Sequence, residues 1–372
     1  MIRLAISNLR HGRARLALSV GGVALALTLI FALDAIFTGS EQRISAYIDR
    51  SGADVWVSQS GVRNLHMAAS ALPSGAVEAV REVGGVAGVT PILYLTNRVE
   101  LGAQRNLAYV IGLPADAKAG RPWQVAEGVD LPAPGEAIVD RVLADQGGVG
   151  LGDPVAILGL RLSVAGLSEG TATITNSIAY IAMEDFAALR SGDAVSFLLV
   201  TVEPGASPEG VAAAIETSVP GVTAQARQAF AAGERQVVRD MATDILAIMN
   251  AAGFLIGLAV MALSVYTATL SRRAEYGVLK ALGARSRYLY GTVVIQALLG
   301  TAAGFVLGLA ITLGLSAVLP RLVLGLDLAV GFESLIKVTA LSAVIAGLSA
   351  ILPVRQIAGL DPAIVFKKGA PA

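Results

Sequence analysis

The chain has 372 residues, of which 55% are hydrophobic and 15% are charged, with a mean hydropathy of +0.67 and a formal net charge of zero. Soluble domains are nearer 25% charged, so this composition predicts a membrane protein and excludes an ordinary soluble domain. The chain has no cysteine, which excludes disulfides and thiolate metal sites.

The charges are sorted along the chain. The segment 39–240 holds 22 acidic and 14 basic residues, whereas the N-terminal arm, a central loop and the C-terminal tail hold 12 basic residues and only two acids, Glu275 and Asp361. Because Lys and Arg concentrate in cytoplasmic loops, this asymmetry places the two sets in different compartments, with both termini in the cytoplasm.

The first 15 residues alternate apolar and basic positions at helical spacing. They predict a cytoplasmic amphipathic elbow helix over residues 1–15, lying at the membrane surface. The apolar run that follows is longer than the core of a secretory signal peptide, and no small-residue cleavage site follows it promptly. It is therefore interpreted as an uncleaved first span, 16–37, with Asp34 near its outer end.

Residues 38–243 form the predicted extracytoplasmic domain. Its two ends continue the helical pattern of the flanking spans, with Ile44, Tyr47 and Ile48 on one face of the first piece, and they predict two antiparallel stalk helices. Between the stalks the pattern mixes helices and strands. The stretch ADVWVSQ alternates apolar and polar residues, which predicts a half-buried strand.

A glycine-rich stretch of this domain and the two histidines of the chain could suggest a phosphate-binding loop and a metal site, but the sequence supports neither. Gly147, Gly148, Gly150 and Gly152 lack the lysine of a phosphate-binding loop and are interpreted as turns between short strands. The only two histidines, His11 and His66, are far apart, so no metal site is predicted.

Three further spans follow, at 244–271, 290–319 and 334–354, with a short outer loop at 320–333 and a cytoplasmic tail at 355–372. Gly300, Gly304 and Gly308 recur every four residues in the third span and predict a face for close helix packing, either specific or generic. In the fourth span Lys337 is expected to extend toward water, and Pro353 is expected to end the helix.

The loop 272–289 lies between uncharged runs of 27 and 33 residues and carries five basic residues against one acid, Glu275. Tyr276, Leu279 and Leu282 or Gly283 recur at i, i+3 and i+6 or i+7, which predicts one apolar and one basic helical face. Gly283 is a natural helix stop. The pattern predicts a short amphipathic helix on the cytoplasmic face of the membrane, as a surface for another protein.

Two motifs carry a family resemblance. The stretch EYGVLKALGA, followed by an apolar span, resembles the cytoplasmic loop of MacB/FtsX-type ABC transporter permeases, of the LolC/E- and DevC-like branch. The tail, with Arg355 and the pair Asp361-Pro362, resembles the ending of the same family, and Asp361 is able to cap a helix that starts at Pro362. The order of strands and helices in the outer segment also resembles that family's periplasmic core domain.

This resemblance implies the fold class. It is a membrane protein with four transmembrane α-helices and a large α+β extracytoplasmic domain between spans one and two, namely a MacB-type periplasmic core domain on helical stalks. The domain is expected to consist of a ferredoxin-like part and a smaller β-rich part.

The resemblance also implies an ATPase-coupling site in the central loop. Its expected members are Arg272, Arg273, Glu275, Tyr276, Gly277, Lys280 and Gly283. Asp34 and Asp244 either mark the ends of their spans or face a cleft between two protomers, as an outer entrance for cargo.

The implied function is a permease subunit in the bacterial inner membrane. The chain has no nucleotide site, so ATP and Mg²⁺ are expected in a separate ABC ATPase, which forms a dimer on two copies of this chain. Membrane lipid and a periplasmic adaptor protein are further implied partners, nucleic acid is not, and no cofactor is expected in this chain. Coupled export or extraction of a hydrophobic or amphipathic substrate is the first hypothesis. The alternatives are an FtsX-like regulator of cell-wall hydrolases and an enzyme or sensor with an outer ligand domain.

Overall fold

A computed structural model describes residues 13–102, 104–171, 177–189, 193–322 and 328–359. The predicted elbow helix, apart from its last residues, lies outside these ranges, and so do Asp361 and Pro362. The chain divides into two compact units, a helical bundle that contains the described residues 13–39, 242–320 and 328–359, and an inserted domain built on residues 40–241.

The helices, numbered along the chain, are α1 (Arg13–Ile44), α2 (Ala46–Arg50), α3 (Gly75–Arg81), α4 (Arg141–Gly147), α5 (Met183–Ala187), α6 (Pro208–Ser218), α7 (Arg227–Ser271), α8 (Arg273–Ala281), α9 (Ser286–Leu322), α10 (Phe332–Ser349) and α11 (Ile351–Ala358). The strands are β1 (Val55–Gln59), β2 (Val86–Leu101), β3 (Gln104–Leu113), β4 (Val125–Gly128), β5 (Glu136–Asp140), β6 (Pro154–Ile157), β7 (Leu160–Ser168), β8 (Ser177–Ala182), β9 (Phe197–Val202) and β10 (Val222–Ala226).

Four helical segments of the described chain are long and apolar enough to cross a membrane. They are Ala17–Ile44, Arg227–Ser271, Ser286–Pro320 and Phe332–Ala358. The fourth contains a break at Ala350, where α10 ends and α11 begins. Pro353 does not end this segment as expected, because it lies in the first turn of α11, where its missing N–H has no intrahelical partner to lose.

Helix α1 lies at the centre of the bundle. Of its apolar span 44% is buried, against 17% for the spans of α7 and α9. Small residues on its neighbours allow this position. A Cβ added at Gly253 of α7 would lie 2.8 Å from Ile30, and one added at Gly304 of α9 would lie 2.7 Å from Val23.

The three glycines of the predicted packing face have different neighbours. Gly304 and Gly308 lie against α1, where a Cβ at Gly308 would approach the carbonyl oxygen of Ala24 to 2.9 Å. Gly300 lies against Met261 of α7 instead. Thr28 of α1 donates a hydrogen bond of 3.3 Å to the Gly308 carbonyl. The glycine row therefore brings α9 close to two helices within one bundle.

The inserted domain begins and ends with a ferredoxin-like sheet. Its strand order is β10-β1-β9-β2, each pair is antiparallel, and helices α3 and α6 each follow the first strand of a strand–helix–strand unit. Buried apolar residues, among them Val57, Val80 and Ile215, fill the space between this sheet and the two helices. The topology agrees with the predicted ferredoxin-like part.

The β-rich part is inserted between β2 and β9 and is a closed ring of strands. Strand β2 pairs with β3, followed in turn by β8, β5, β7 and β6, and β6 pairs back onto β2. Its interior holds a separate apolar cluster that includes Leu93, Val139 and Phe186. The 16 residues of β2 belong to both parts, since Val86–Ile92 pairs with β9 and the remainder pairs with β3. Closure removes the open edges that an isolated sheet would expose.

Strand β1 is buried on both faces, so the prediction of a half-buried strand was wrong. Val55, Trp56, Val57 and Ser58 are all buried. Val55 and Val57 face α3 and α6, whereas Trp56 faces a second apolar cluster that contains Tyr47 and Phe230. The apolar–polar alternation was misleading because the polar residue Ser58 is buried as well. Its hydroxyl donates a hydrogen bond to the Val62 carbonyl at 2.6 Å.

The second cluster attaches the two stalk segments to the sheet. Trp56 stacks on Phe230 of α7 with ring centroids 5.0 Å apart, and it meets Tyr47 of α2 edge-on at 5.9 Å. Burial raises the pKa of Tyr47 far above its ordinary value, so its hydroxyl stays neutral and donates to the Gly120 carbonyl at 3.1 Å. Both stalk segments therefore dock on the same face of the ferredoxin-like sheet.

Polar contacts join the stalk segments to each other. Arg239 binds Glu41 through two hydrogen bonds of 2.9 and 3.0 Å, and Arg235 reaches Asp49 at 3.1 Å. Residue numbers rise along one helix as they fall along the other, so the stalk pair is antiparallel. Further along α7, Met241 is 70% exposed.

Beyond these pairs, α7 carries one acid that is completely buried. Glu234 accepts a hydrogen bond from the backbone N–H of Leu65, and its other oxygen lies 2.5 Å from His66 Nδ1. The loop after β1 is thereby fixed to the stalk helix, and His66 has a structural partner.

Replacing Gly304 by leucine tests the packing of the bundle. A larger side chain would overlap Val23, and overpacking of this kind costs about 1–3 kcal/mol or more. We expect a lower midpoint of thermal unfolding for Gly304→Leu in detergent than for Gly314→Leu, where an added Cβ meets nothing within 4 Å. Equal midpoints for the two variants would show that close approach at Gly304 does not contribute to stability.

Candidate coupling surface and membrane-domain sites

Helix α8, in the loop between the second and third spans, is fixed to the bundle by one face. Tyr276 is 2% exposed and belongs to the apolar core of the bundle, together with Leu289 and Ile357. Gly277 is also buried, and Leu279 packs partly against the same core. The helix therefore has a fixed orientation on the bundle.

The opposite face of α8 is exposed and apolar. Ala274, Val278, Ala281 and Leu282 are exposed, at the i, i+4, i+7 and i+8 spacing of one helical stripe. Leu282 is 79% exposed, so its predicted place beside Tyr276 was wrong. The leucine directly follows the last helical residue, and its N–H donates to the Val278 carbonyl at 2.9 Å, which keeps it in line with the exposed residues of the helix. An exposed row of this kind suits a protein partner.

Two charged residues at the start of α8 pair locally. Arg272 lies 3.6 Å from Glu275, whose side chain is 67% exposed, and Arg273 is exposed beside them. An exposed pair at this spacing contributes little to stability, and the acid is well placed in the first helical turn. Glu275 therefore presents a negative charge next to the apolar stripe.

Lys280 has an internal role in addition to any external one. Its ammonium donates a 3.3 Å hydrogen bond to the carbonyl of Ala358, the last residue of α11. A cation at this position satisfies an otherwise unpaired helix-end carbonyl and complements the helix dipole. The coupling loop is thus tied to the C-terminal segment, in which Arg355 is exposed.

The chain leaves α8 through a Schellman turn. Gly283 has a φ of +89°, its N–H donates to the Lys280 carbonyl at 3.1 Å, and the Ala284 N–H donates to the Leu279 carbonyl at 2.9 Å. Only glycine adopts this backbone conformation without a steric cost, which explains the helix stop at this residue.

At the other end of the bundle, Asp34 is bound by a residue that the sequence did not identify as its partner. Lys337 of α10 donates to Asp34 at 2.6 Å, and Asp244 of α7 is exposed. The two residues of the ion pair are 303 positions apart in the chain, so no local pattern could reveal it. Lys337 also lines a cavity of about 620 Å³ between α7 and α10, whose walls include Asn250, Phe254 and Leu341.

Two family models match most of the chain. Residues 16–218 match the MacB-like periplasmic core domain, and residues 247–362 match the FtsX-like permease C-terminal domain. The second match contains the coupling loop and Asp361-Pro362.

Curated relatives of similar length are also permeases. An uncharacterized ABC transporter permease of Mycobacterium bovis is 20% identical over 369 residues, which cover 98% of this chain and 99% of the relative. Another, of Mycobacterium tuberculosis, is 22% identical over 303 residues, which cover 80% of this chain and 81% of the relative.

Two solved structures each match about half of this chain. The periplasmic region of MacB from Actinobacillus actinomycetemcomitans matches 48% of this chain and 91% of its own, with 11% identity and a TM-score of 0.37. The extracellular domain of YknZ, a noncanonic ABC-type transporter from Gram-positive bacteria, matches 46% of this chain and 99% of its own, with 13% identity and a TM-score of 0.35. On the strength of the family models, this chain belongs to the MacB/FtsX-type ABC transporter permeases.

Proposed function

We propose that this permease couples ATP hydrolysis by a separate ATPase subunit to movement of its extracytoplasmic domain, and thereby exports or extracts a hydrophobic or amphipathic substrate. The observation that carries the proposal is the orientation of α8. One face is anchored by Tyr276, and the other presents an exposed apolar stripe beside Glu275. Such a helix transmits a push from a partner to the bundle core.

The proposed assembly has two copies of this chain on a dimer of ATPases. Four spans make a small translocation unit, and two copies supply eight. ATP and Mg²⁺ bind to the partner, whose closure displaces α8, and the stalks carry the displacement outward as a two-state movement. Both termini lie in the cytoplasm in this arrangement, and a periplasmic adaptor takes up the cargo where one is present.

Reversing the charge of Glu275 tests the coupling. In Glu275→Arg the negative group beside the stripe becomes positive, and charge complementarity at an interface governs fit and specificity. We expect membrane insertion to be normal and ATP hydrolysis to lose its dependence on substrate. Glu275→Gln, which removes the charge without reversing it, should show a smaller effect. Substrate-stimulated hydrolysis at the wild-type level in Glu275→Arg would contradict the assignment.

Replacing Leu282 tests the apolar stripe separately. Because its side chain is 79% exposed, Leu282→Ser should change the free energy of unfolding by no more than about 0.5 kcal/mol. The loss of an apolar interface contact should weaken association with the ATPase roughly tenfold, as measured by binding of the purified ATPase to the permease in nanodiscs.

A matched control is Leu189→Ser, which alters an exposed leucine of the inserted domain, 46% accessible. This variant should bind the ATPase as the wild type does. Equal affinities for Leu282→Ser and wild type would exclude the stripe from the interface.

We further propose that Asp34 and Asp244 line the outward entrance for cargo, at the seam between protomers. Asp34 pairs with Lys337 at 2.6 Å near the end of its span, where an unpaired acid facing lipid would cost up to about 3 kcal/mol. Asp244 is exposed on α7.

This entrance can be tested with single cysteines, because the chain has none of its own. We expect Asp244→Cys to form a disulfide with its copy across the seam in membranes, and Asp244→Asn to reduce transport. Asp34→Asn should lower the thermal midpoint by leaving Lys337 unpaired. Adding Lys337→Met to this variant should restore the midpoint but not transport. Normal transport in both Asn variants, with no cross-link, would refute the entrance.

A further inference from the structure

The chain between α8 and α9 forms a second cavity in the helical bundle. Its volume is about 630 Å³, and Ala284, Arg285, Arg287 and Tyr288 line it. None of these four belongs to the stripe proposed to contact the ATPase.

The backbone around this cavity is well defined by hydrogen bonds. The Schellman turn at Gly283 fixes the chain before Arg285, and the Arg285 carbonyl accepts the N–H of Tyr288 at 2.8 Å. Helix α9 then runs for 37 residues from Ser286. The two arginines are therefore held at the N-terminal end of a long helix, whose dipole adds partial positive charge at the same point.

Among the described residues, no acidic side chain lines the cavity to balance the positive charge of its two arginines. Both arginines are exposed, and within the described ranges neither forms an ion pair. The one acid of this loop, Glu275, pairs with Arg272 instead. The guanidinium groups are thus available to an anion from outside the chain.

The position of the cavity indicates where that anion comes from. Arg287 is followed by 33 residues without a charge, from Tyr288 to Pro320, so the cavity lies where the helix enters the membrane. Tyr288 is 40% exposed at this level, where aromatic side chains favour the headgroup region. An anion at this depth is part of the bilayer surface.

We propose that Arg285, Arg287 and Tyr288 form a binding site for the phosphate headgroup of an anionic phospholipid, in the leaflet that faces the loop. Arginine presents paired N–H donors that match two phosphate oxygens, and Tyr288 covers the headgroup from the side of the apolar span. Basic pockets at the ends of spans are suited to such lipids. The site is independent of ATPase coupling and would exist in a permease of any substrate.

The test is a lipid titration of the full-length permease, followed by native mass spectrometry. Phosphatidylglycerol and phosphatidylcholine with the same acyl chains are compared for wild type, for Arg285→Gln/Arg287→Gln and for Arg285→Lys/Arg287→Lys. The lysine pair keeps the positive charge that orients the loop, so it separates headgroup binding from membrane topology. Arg273→Gln is the matched control, because Arg273 is an exposed arginine of the same loop that does not line the cavity.

We expect the wild type to retain phosphatidylglycerol in preference to phosphatidylcholine, and this preference to fall as salt rises. Because each arginine contributes roughly a factor of five near an anionic surface, the glutamine pair should lose about 25-fold in affinity. The lysine pair should lose less, and Arg273→Gln should retain phosphatidylglycerol as the wild type does.

Four results would overturn the proposal. Equal retention of the two lipids by the wild type, or wild-type affinity in the glutamine pair, would exclude a headgroup site. Displacement of phosphatidylglycerol by millimolar inorganic phosphate would assign the cavity to a free anion. Lost binding of the purified ATPase, with lipid binding unchanged, would assign the arginines to the protein interface.

Discussion

The aromatic junction around Trp56 is the contact on which the inserted domain depends. This one side chain contacts both stalk segments, through Tyr47 on the incoming chain and Phe230 on the outgoing one, and it is fully buried. It lies on β1, which has β10 on one side and β9 on the other. A displacement of either stalk at this point is therefore passed directly to the middle of the ferredoxin-like sheet, and through β2 to the closed ring.

The bundle shows the same principle with different chemistry. Tyr276 anchors the coupling helix in the core, and Lys280 ties it to the end of α11. Both contacts lie on the side of α8 away from its exposed stripe. Helix α8 is thus held on this side by one apolar and one polar contact, which fixes the direction of its exposed stripe.

The sequence was most informative where one physical rule dominated. The uncharged runs predicted four spans because lipid accepts few charges, and Gly283 predicted a helix end because its backbone conformation excludes other residues. The short strands β4 and β10 were missed, since four or five residues after a turn carry little periodicity. The burial of β1 was misjudged because both faces are covered by elements far away in the chain.

The same distinction between local patterns and long-range packing applies to the candidate sites. Charge and spacing predicted an amphipathic helix in the loop 272–289, and the family resemblance named its expected site residues, but neither gave the direction that each side chain takes. Leu282 points away from the bundle because it continues the exposed stripe of Val278, to whose carbonyl its N–H donates at 2.9 Å. The partner of Asp34 lies 303 residues further on, so its identity depends on how the spans pack. The assignment of these residues to coupling and cargo stays a prediction.

The register of β1 and β10 has a mechanical consequence. Val55 and Ala226 are directly paired, and the two stalk segments leave the sheet at this same end of the ladder. Antiparallel hydrogen bonds lie perpendicular to the strands, so a force that separates the two stalk segments would act along them. It would load the pairs of this ladder one after another, starting from Val55 and Ala226. The pairing of Arg239 with Glu41 and of Arg235 with Asp49 opposes that separation. These two ion pairs and the Trp56 junction thus hold the stalk segments together at the end of the ladder where such a force would act first.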